Sequence, residues 1–109
     1  MKDRMRLQDI LDAIQTIESY TVSSYEEFLE DYKTQNAILY SLIIVGEAAS
    51  RISEDYKEEH LEVPWSAMIG TRNIIVHGYD HVKLQIVWEI IQRDLSSLKS
   101  QIEEIIEDK

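Results

Sequence analysis

Three features of the chain predict an all-α fold, an up-and-down bundle of four main helices with short helices between them. Punctuation is sparse: 3 Gly and 1 Pro in 109 residues, too few for the turns that many short strands would need. Apolar residues recur at steps of three and four along most of the chain, the period of a helix with one buried face. Leu, Ile, Glu, Lys and Gln, all compatible with helices, dominate the composition. The length suits one domain, residues 1–109, around one core. A hydrophobic content of 44% makes that core feasible and argues against disorder.

Leu7, Ile10, Leu11, Ile14 and Ile17 mark a first amphipathic helix over Asp3 to Tyr20, ended by Thr21-Val22-Ser23-Ser24. Ser24-Tyr25-Glu26-Glu27 matches a capping box, in which Ser24 accepts a backbone bond and Glu27 reaches back. It opens a short helix carrying Phe28 and Leu29. A third helix is expected over Thr34 to Tyr56. Ile38, Leu42, Val45 and Ile52 line one side, and Leu39, Ile43 and Ala49 widen the stripe, as befits a central helix. Gly46 costs that helix about 1 kcal/mol of propensity, which a closely approaching neighbour would explain. Lys57 to Val63, closed by Pro64, reads as the longest loop. Trp65 to Val76 is expected to be helical, with a break near Gly70. Gly78 reads as a stop and Asp80 as the following N-cap. Trp88, Ile91, Leu95, Leu98, Ile102 and Ile105 give the last helix, Val82 to Ile106, the spacing of a bundle seam.

Eleven Lys and Arg against 21 Asp and Glu leave a formal charge of −10. Broad nonspecific binding to nucleic acid, which depends on neutralising phosphates, is disfavoured. A small basic site is not. The acids cluster in Glu26 to Asp31, Glu54 to Glu62 and Glu103 to Asp108. These are read as solvated faces, with the alternative that they repel nucleic acid or attract a basic protein partner. The absence of Cys excludes disulfides and thiolate metal sites. No apolar run approaches the ~20 residues a membrane span needs, and no signal-peptide pattern follows Met1. The expectation is a soluble cytoplasmic protein.

Chemistry concentrates in Thr71-Arg72-Asn73-Ile74-Ile75-Val76-His77-Gly78-Tyr79-Asp80. Arg is a permanent cation that can fork onto a phosphate, and His moves protons near neutral pH. Held together, the two are the minimum needed to cleave RNA without a metal. On one straight helix Arg72 and His77 project about 140° apart, and Arg72 and Tyr79 nearly share a face. Bringing Arg72 to His77 therefore calls for a turn at Gly78 that redirects His77, for a second subunit across a two-fold axis, or for both. Bland readings stand beside these. His77 suits a packing residue, Arg72 an ion pair to Glu47 or Asp80, Asn73 a helix end and Tyr79 an ordinary packed ring. Glu47 pairs with Arg51 four residues on or orients Arg72 in a cleft. His77 and His81, with Asp80 between them, have the spacing of a metal pair, but the helix breaks between them and no third ligand is evident.

Arg72-x-x-x-x-His77-x-Tyr79 resembles the signature of the HEPN superfamily, and in particular of the HepT-like toxins. Ile44 to Ala49, Val63-Pro64-Trp65, Arg72 to Tyr79 and Val87 to Ile91 resemble that family in its usual order. The resemblance implies a HEPN-like helical fold and a homodimer with a composite cleft on its two-fold axis. It implies a cytoplasmic, metal-independent endoribonuclease that uses no cofactor, the toxin of a type II toxin–antitoxin system. Arg72 and His77 would be the catalytic pair, supported by Asn73 and Glu47. The partner would be a minimal nucleotidyltransferase of the MntA type, which attaches AMP to Tyr79 and so blocks RNA. The competing expectation is a noncatalytic subunit that binds a nucleotide or presents Tyr79 to such a partner.

Overall fold

The computed structural model describes residues 2–20 and 22–107. Thr21, expected to help end the first helix, and Asp108, in the last acidic run, lie outside them. Helices α1 (Lys2–Ser19), α2 (Tyr25–Glu30), α3 (Tyr32–Ser50), α4 (Glu54–Glu59) and α5 (Trp65–His77) lead to a 3-10 turn at Tyr79–His81. The chain then continues as α6 (Leu84–Glu89), a π-helical segment (Ile90–Asp94) and α7 (Leu95–Glu107). No strand occurs among the described residues, and no helix among them is long and apolar enough to cross a membrane.

Helix α1 buries Leu7, Ile10, Leu11, Ile14 and Ile17, the five positions its spacing picks out. Helix α3 packs on both α1 and α5 and is the central helix. Antiparallel neighbours are fixed by pairs at opposite ends: Arg4 reaches the carbonyl of Ile106, while Lys99 pairs with Glu18 at 2.9 Å. Phe28, fully buried, carries α2 onto Trp88, with ring centroids 5.5 Å apart. Gln35, buried at the start of α3, donates to the carbonyls of Phe28 and Leu29 at the C-terminus of α2, sharing the former with the Asp31 N–H.

Expectations about element boundaries and caps are corrected. Helix α3 does not run to Tyr56; it stops at Ser50, and Ser53 N-caps α4 by accepting from the Tyr56 N–H at 3.2 Å. The apolar steps Ala49, Ile52 and Tyr56, all buried, cross that break and disguise it. Lys57 to Val63 is accordingly not one loop: its first part is the last turn of α4, whose Glu54 and Asp55 suit a helix N-terminus. Helix α5 is unbroken at Gly70, where an added Cβ would meet nothing within 4 Å. Asp80 lies inside the 3-10 turn, and the N-cap of α6 is Lys83. The capping box is half formed. Ser24 accepts from the Glu27 N–H at 3.1 Å, but the Glu27 carboxylate takes the Ser23 hydroxyl at 2.7 Å instead of reaching back.

The last helix begins at Leu84, not Val82, and contains a π turn that the sequence pattern does not disclose. Downstream of it Leu95, Leu98, Ile102 and Ile105 are buried as the seam requires, while Trp88 before it and Ile91 within it are only partly so.

Candidate functional site

Helix α5 starts on the indole of Trp65, which donates to the His60 carbonyl at 2.9 Å. It ends where the Gly78 N–H closes onto Ile74 O at 3.0 Å. His77 is therefore still helical, and Gly78 does not redirect it. That part of the sequence reading is corrected. The 140° offset between Arg72 and His77 persists.

Arg72 faces α3, and Gly46 makes this possible. A Cβ at Gly46 would collide with the Arg72 Cβ and stand 2.7 Å from the Met68 carbonyl oxygen. The close approach inferred from Gly46 is thus an approach of α5, and of Arg72 in particular. The Arg72 side chain, 30% exposed, places Nε 2.8 Å from Glu47 Oε1. The oxygen lies off the line of the buried N–H, so this contact is ionic rather than an aligned hydrogen bond. Arg72 Nη1 donates to Asn73 Oδ1 at 2.7 Å. Glu47 is shared, for its other oxygen pairs with Arg51 at 3.3 Å. Glu47 thus gives one oxygen to each arginine, the intrahelical Arg51 and the neighbouring Arg72.

Asn73 and His77 are four residues apart on one continuous helix and share its exposed face. Asn73 thus bridges the two orientations, holding Arg72 on one side and neighbouring His77 on the other. Among the described residues the His77 side chain has no hydrogen bond or ion pair. Ile74, 67% exposed, and Val76 flank it.

Tyr79 enters from the 3-10 turn, and its hydroxyl donates to Asn36 Oδ1 on α3 at 2.6 Å. Tyr79 and Arg72 both turn towards α3, although Tyr79 lies beyond the end of α5 and does not share one helix face with Arg72. Asn36 is a site neighbour that sequence reasoning missed. The available signal was the four-residue spacing Tyr32, Asn36, Tyr40, which sets three polar or aromatic side chains along one side of α3. His77 and His81 do not share a helix, and among the described residues no group of three His, Cys, Asp or Glu is placed to hold a metal.

The arrangement offers an oriented cation with donor capacity, an unengaged imidazole around the helix from it and an exposed phenol nearby. Comparison with known proteins bears on what this set is for. A family model described as ribonuclease HepT-like matches residues 10–105. The chain is 39% identical over 100 residues to a Thermococcus cleftensis protein named "Probable ribonuclease HepT", covering 91% of each chain. It is 36% identical over 106 residues to a Methanocaldococcus jannaschii protein named "Putative RNase", covering 96% of this chain and 88% of the other. No solved structure matches it.

Proposed function

The chain belongs to the HepT-like ribonuclease family of the HEPN superfamily, and from that membership we propose that it is an endoribonuclease whose cleft is built by two copies of α5 in a homodimer. The ribonuclease character follows from the family; the residues, the assembly and the control are our reading. The observation that carries it is the fixing of Arg72 by Glu47 and Asn73, with His77 left unengaged on the Asn73 face.

Cleavage proceeds by attack of a ribose 2′-hydroxyl on the adjacent phosphate. His77 removes the hydroxyl proton or protonates the leaving oxygen. Arg72 stabilises the extra negative charge that develops on phosphorus. Neither role requires a metal. With the two side chains about 140° apart on one helix, the pair is completed by the second copy. The face that carries His77 suits such a contact. Ile74 is exposed there, and Gly70 leaves open space beside it.

The test is RNA cleavage by the purified protein, by Arg72→Ala and by His77→Ala. Loss in both variants is expected, and activity equal to wild type in either would refute its assigned role. As a toxin, the protein should also stop growth when expressed without its partner, and the same substitutions should relieve it.

Tyr79 is proposed as the acceptor of AMP from a nucleotidyltransferase partner of the MntA type. The residue is 42% exposed. An AMP on its oxygen would add bulk and negative charge near the cleft and oppose RNA phosphates. Intact mass after incubation with the partner and ATP should rise by AMP units in wild type and stay constant in Tyr79→Phe. The net charge of −10 favours a second reading, a noncatalytic subunit that presents Tyr79 to the partner. No growth arrest by the wild-type protein expressed without its partner would favour it, and arrest relieved by Arg72→Ala or His77→Ala would reject it.

A further inference from the structure

The exposed side of α3 carries a row that the cleavage chemistry does not use. Tyr32, Asn36 and Tyr40 follow one another at four-residue steps, and the same side continues to Glu47, which holds Arg72. From Tyr32 to Glu47 these positions stay within about 80° of one helix face, and the two tyrosines are about 12 Å apart along the axis. Their rings are the most exposed aromatics of the chain among the described residues, Tyr32 at 73% and Tyr40 at 64%. Neither makes a side-chain hydrogen bond among those residues. Between them Asn36 accepts from Tyr79, which ties the row to the motif.

Charge decides how RNA could use such a row. Arg51 and Arg72 near its end are both engaged by Glu47. Asp9 and Asp12 rim the shallow hollow beside Tyr40. A phosphate backbone gains little along such a surface. Unpaired bases do gain, because a base stacks on an aromatic ring whatever its sequence and carries no charge to be repelled.

The geometry points to Tyr32 and Tyr40 as a base-stacking platform for single-stranded RNA, leading the strand along α3 towards Arg72. This rests on the ribonuclease reading above and adds to it a substrate class, unpaired RNA held by its bases. Twelve ångströms accommodates roughly three to four stacked nucleotides at 3.4 Å each. The platform explains how an acidic protein can hold RNA: contact is made chiefly through rings, with the exposed Lys33 as the cation beside the row.

The experiment measures binding of a short fluorescein-labelled single-stranded RNA by anisotropy, in a His77→Ala background so that the probe stays intact. Tyr32→Ala and Tyr40→Ala should each weaken binding about tenfold, while Tyr32→Phe and Tyr40→Phe should retain it. An abasic strand of the same length, and a duplex, should bind the parent as weakly as the single strand binds the double alanine variant. Melting temperatures should be unchanged, since both rings stand in solvent. Equal binding by parent and double variant overturns the platform, as does equal binding of abasic and normal strands, which would mean phosphate contact. Loss of dimer mass in the double variant with unchanged RNA affinity also overturns it, assigning the row to a protein interface. RNA that binds as expected but is left intact by wild-type protein removes the ribonuclease reading alone.

Discussion

Gly46 shows how a single missing Cβ positions the candidate site. In Gly46→Ala the new carbon would collide with the Arg72 Cβ and press on the Met68 carbonyl oxygen. Both obstacles belong to a helix backbone or its first side-chain carbon, so α3 and α5 must separate. Overpacking of this kind costs about 1–3 kcal/mol, enough to outweigh the ~1 kcal/mol of helix propensity that alanine returns. A lowered melting temperature together with weakened cleavage is expected, and an unchanged melting temperature would contradict the contact. Glu47→Ala separates stability from function. Its ion pairs are partly exposed, and such pairs contribute about 0–1 kcal/mol, so the melting temperature should barely move. Arg72 loses one of its two anchors, however, and misplacement of a catalytic group costs on the order of 10–100-fold in rate. Denaturation and cleavage measured on the same preparation separate the two effects. Arg72, His77 and Tyr79 could be found in the sequence because they sit within eight positions. Asn36 could not be paired with Tyr79, because 43 residues separate them and no local pattern reports a contact made by folding.

At the scale of elements, the four main helices were legible from apolar spacing, and their ends were less so. Spacing records which side of a helix is buried, and it continues through a break whenever the next helix buries the same side. This is what joined α3 to α4. The break itself is local chemistry: Ser53 caps α4 while its own N–H and hydroxyl reach Asp3, at 3.0 and 2.7 Å. The junction of α2 and α3 is similar and carries a pH signature. Asp31 caps α3, accepting the Thr34 N–H at 3.0 Å and the Thr34 hydroxyl at 2.7 Å. The Thr34 hydroxyl first, then its N–H, with help from Lys33, holds the Asp31 carboxyl below the usual carboxylate range. A group whose pKa is lowered by folding stabilises the fold above its unfolded pKa, and that contribution fades as pH falls through the lowered value. Asp31→Ala should therefore melt below wild type at neutral pH. The difference should shrink as the pH drops below about 4. Thermal melts of both proteins across that range test it, and a constant difference would show that the carboxylate charge is not what stabilises the cap.

For the whole molecule, the question is whether the pair acts within one chain or across two. The sequence left both routes open, a turn at Gly78 or a second subunit. Because α5 runs through His77, the first route is closed by helix geometry. An arginine facing α3 and a histidine on another side of the same helix then suit two chains better than one. A mixture of inactive variants tests this directly. Refold Arg72→Ala together with His77→Ala and assay RNA cleavage. If the pair forms across the axis, a mixed dimer has one pair doubly disabled and the other wholly wild type. Random pairing makes about half of the dimers mixed, each with one of two pairs intact, so about a quarter of wild-type activity should return. If the pair forms within a chain, no chain in the mixture is complete and activity stays at the level of the separate variants. Because each variant supplies an intact copy of what the other lacks, recovered cleavage cannot come from either protein alone. It would require Arg72 from one copy and His77 from the other at the same phosphate.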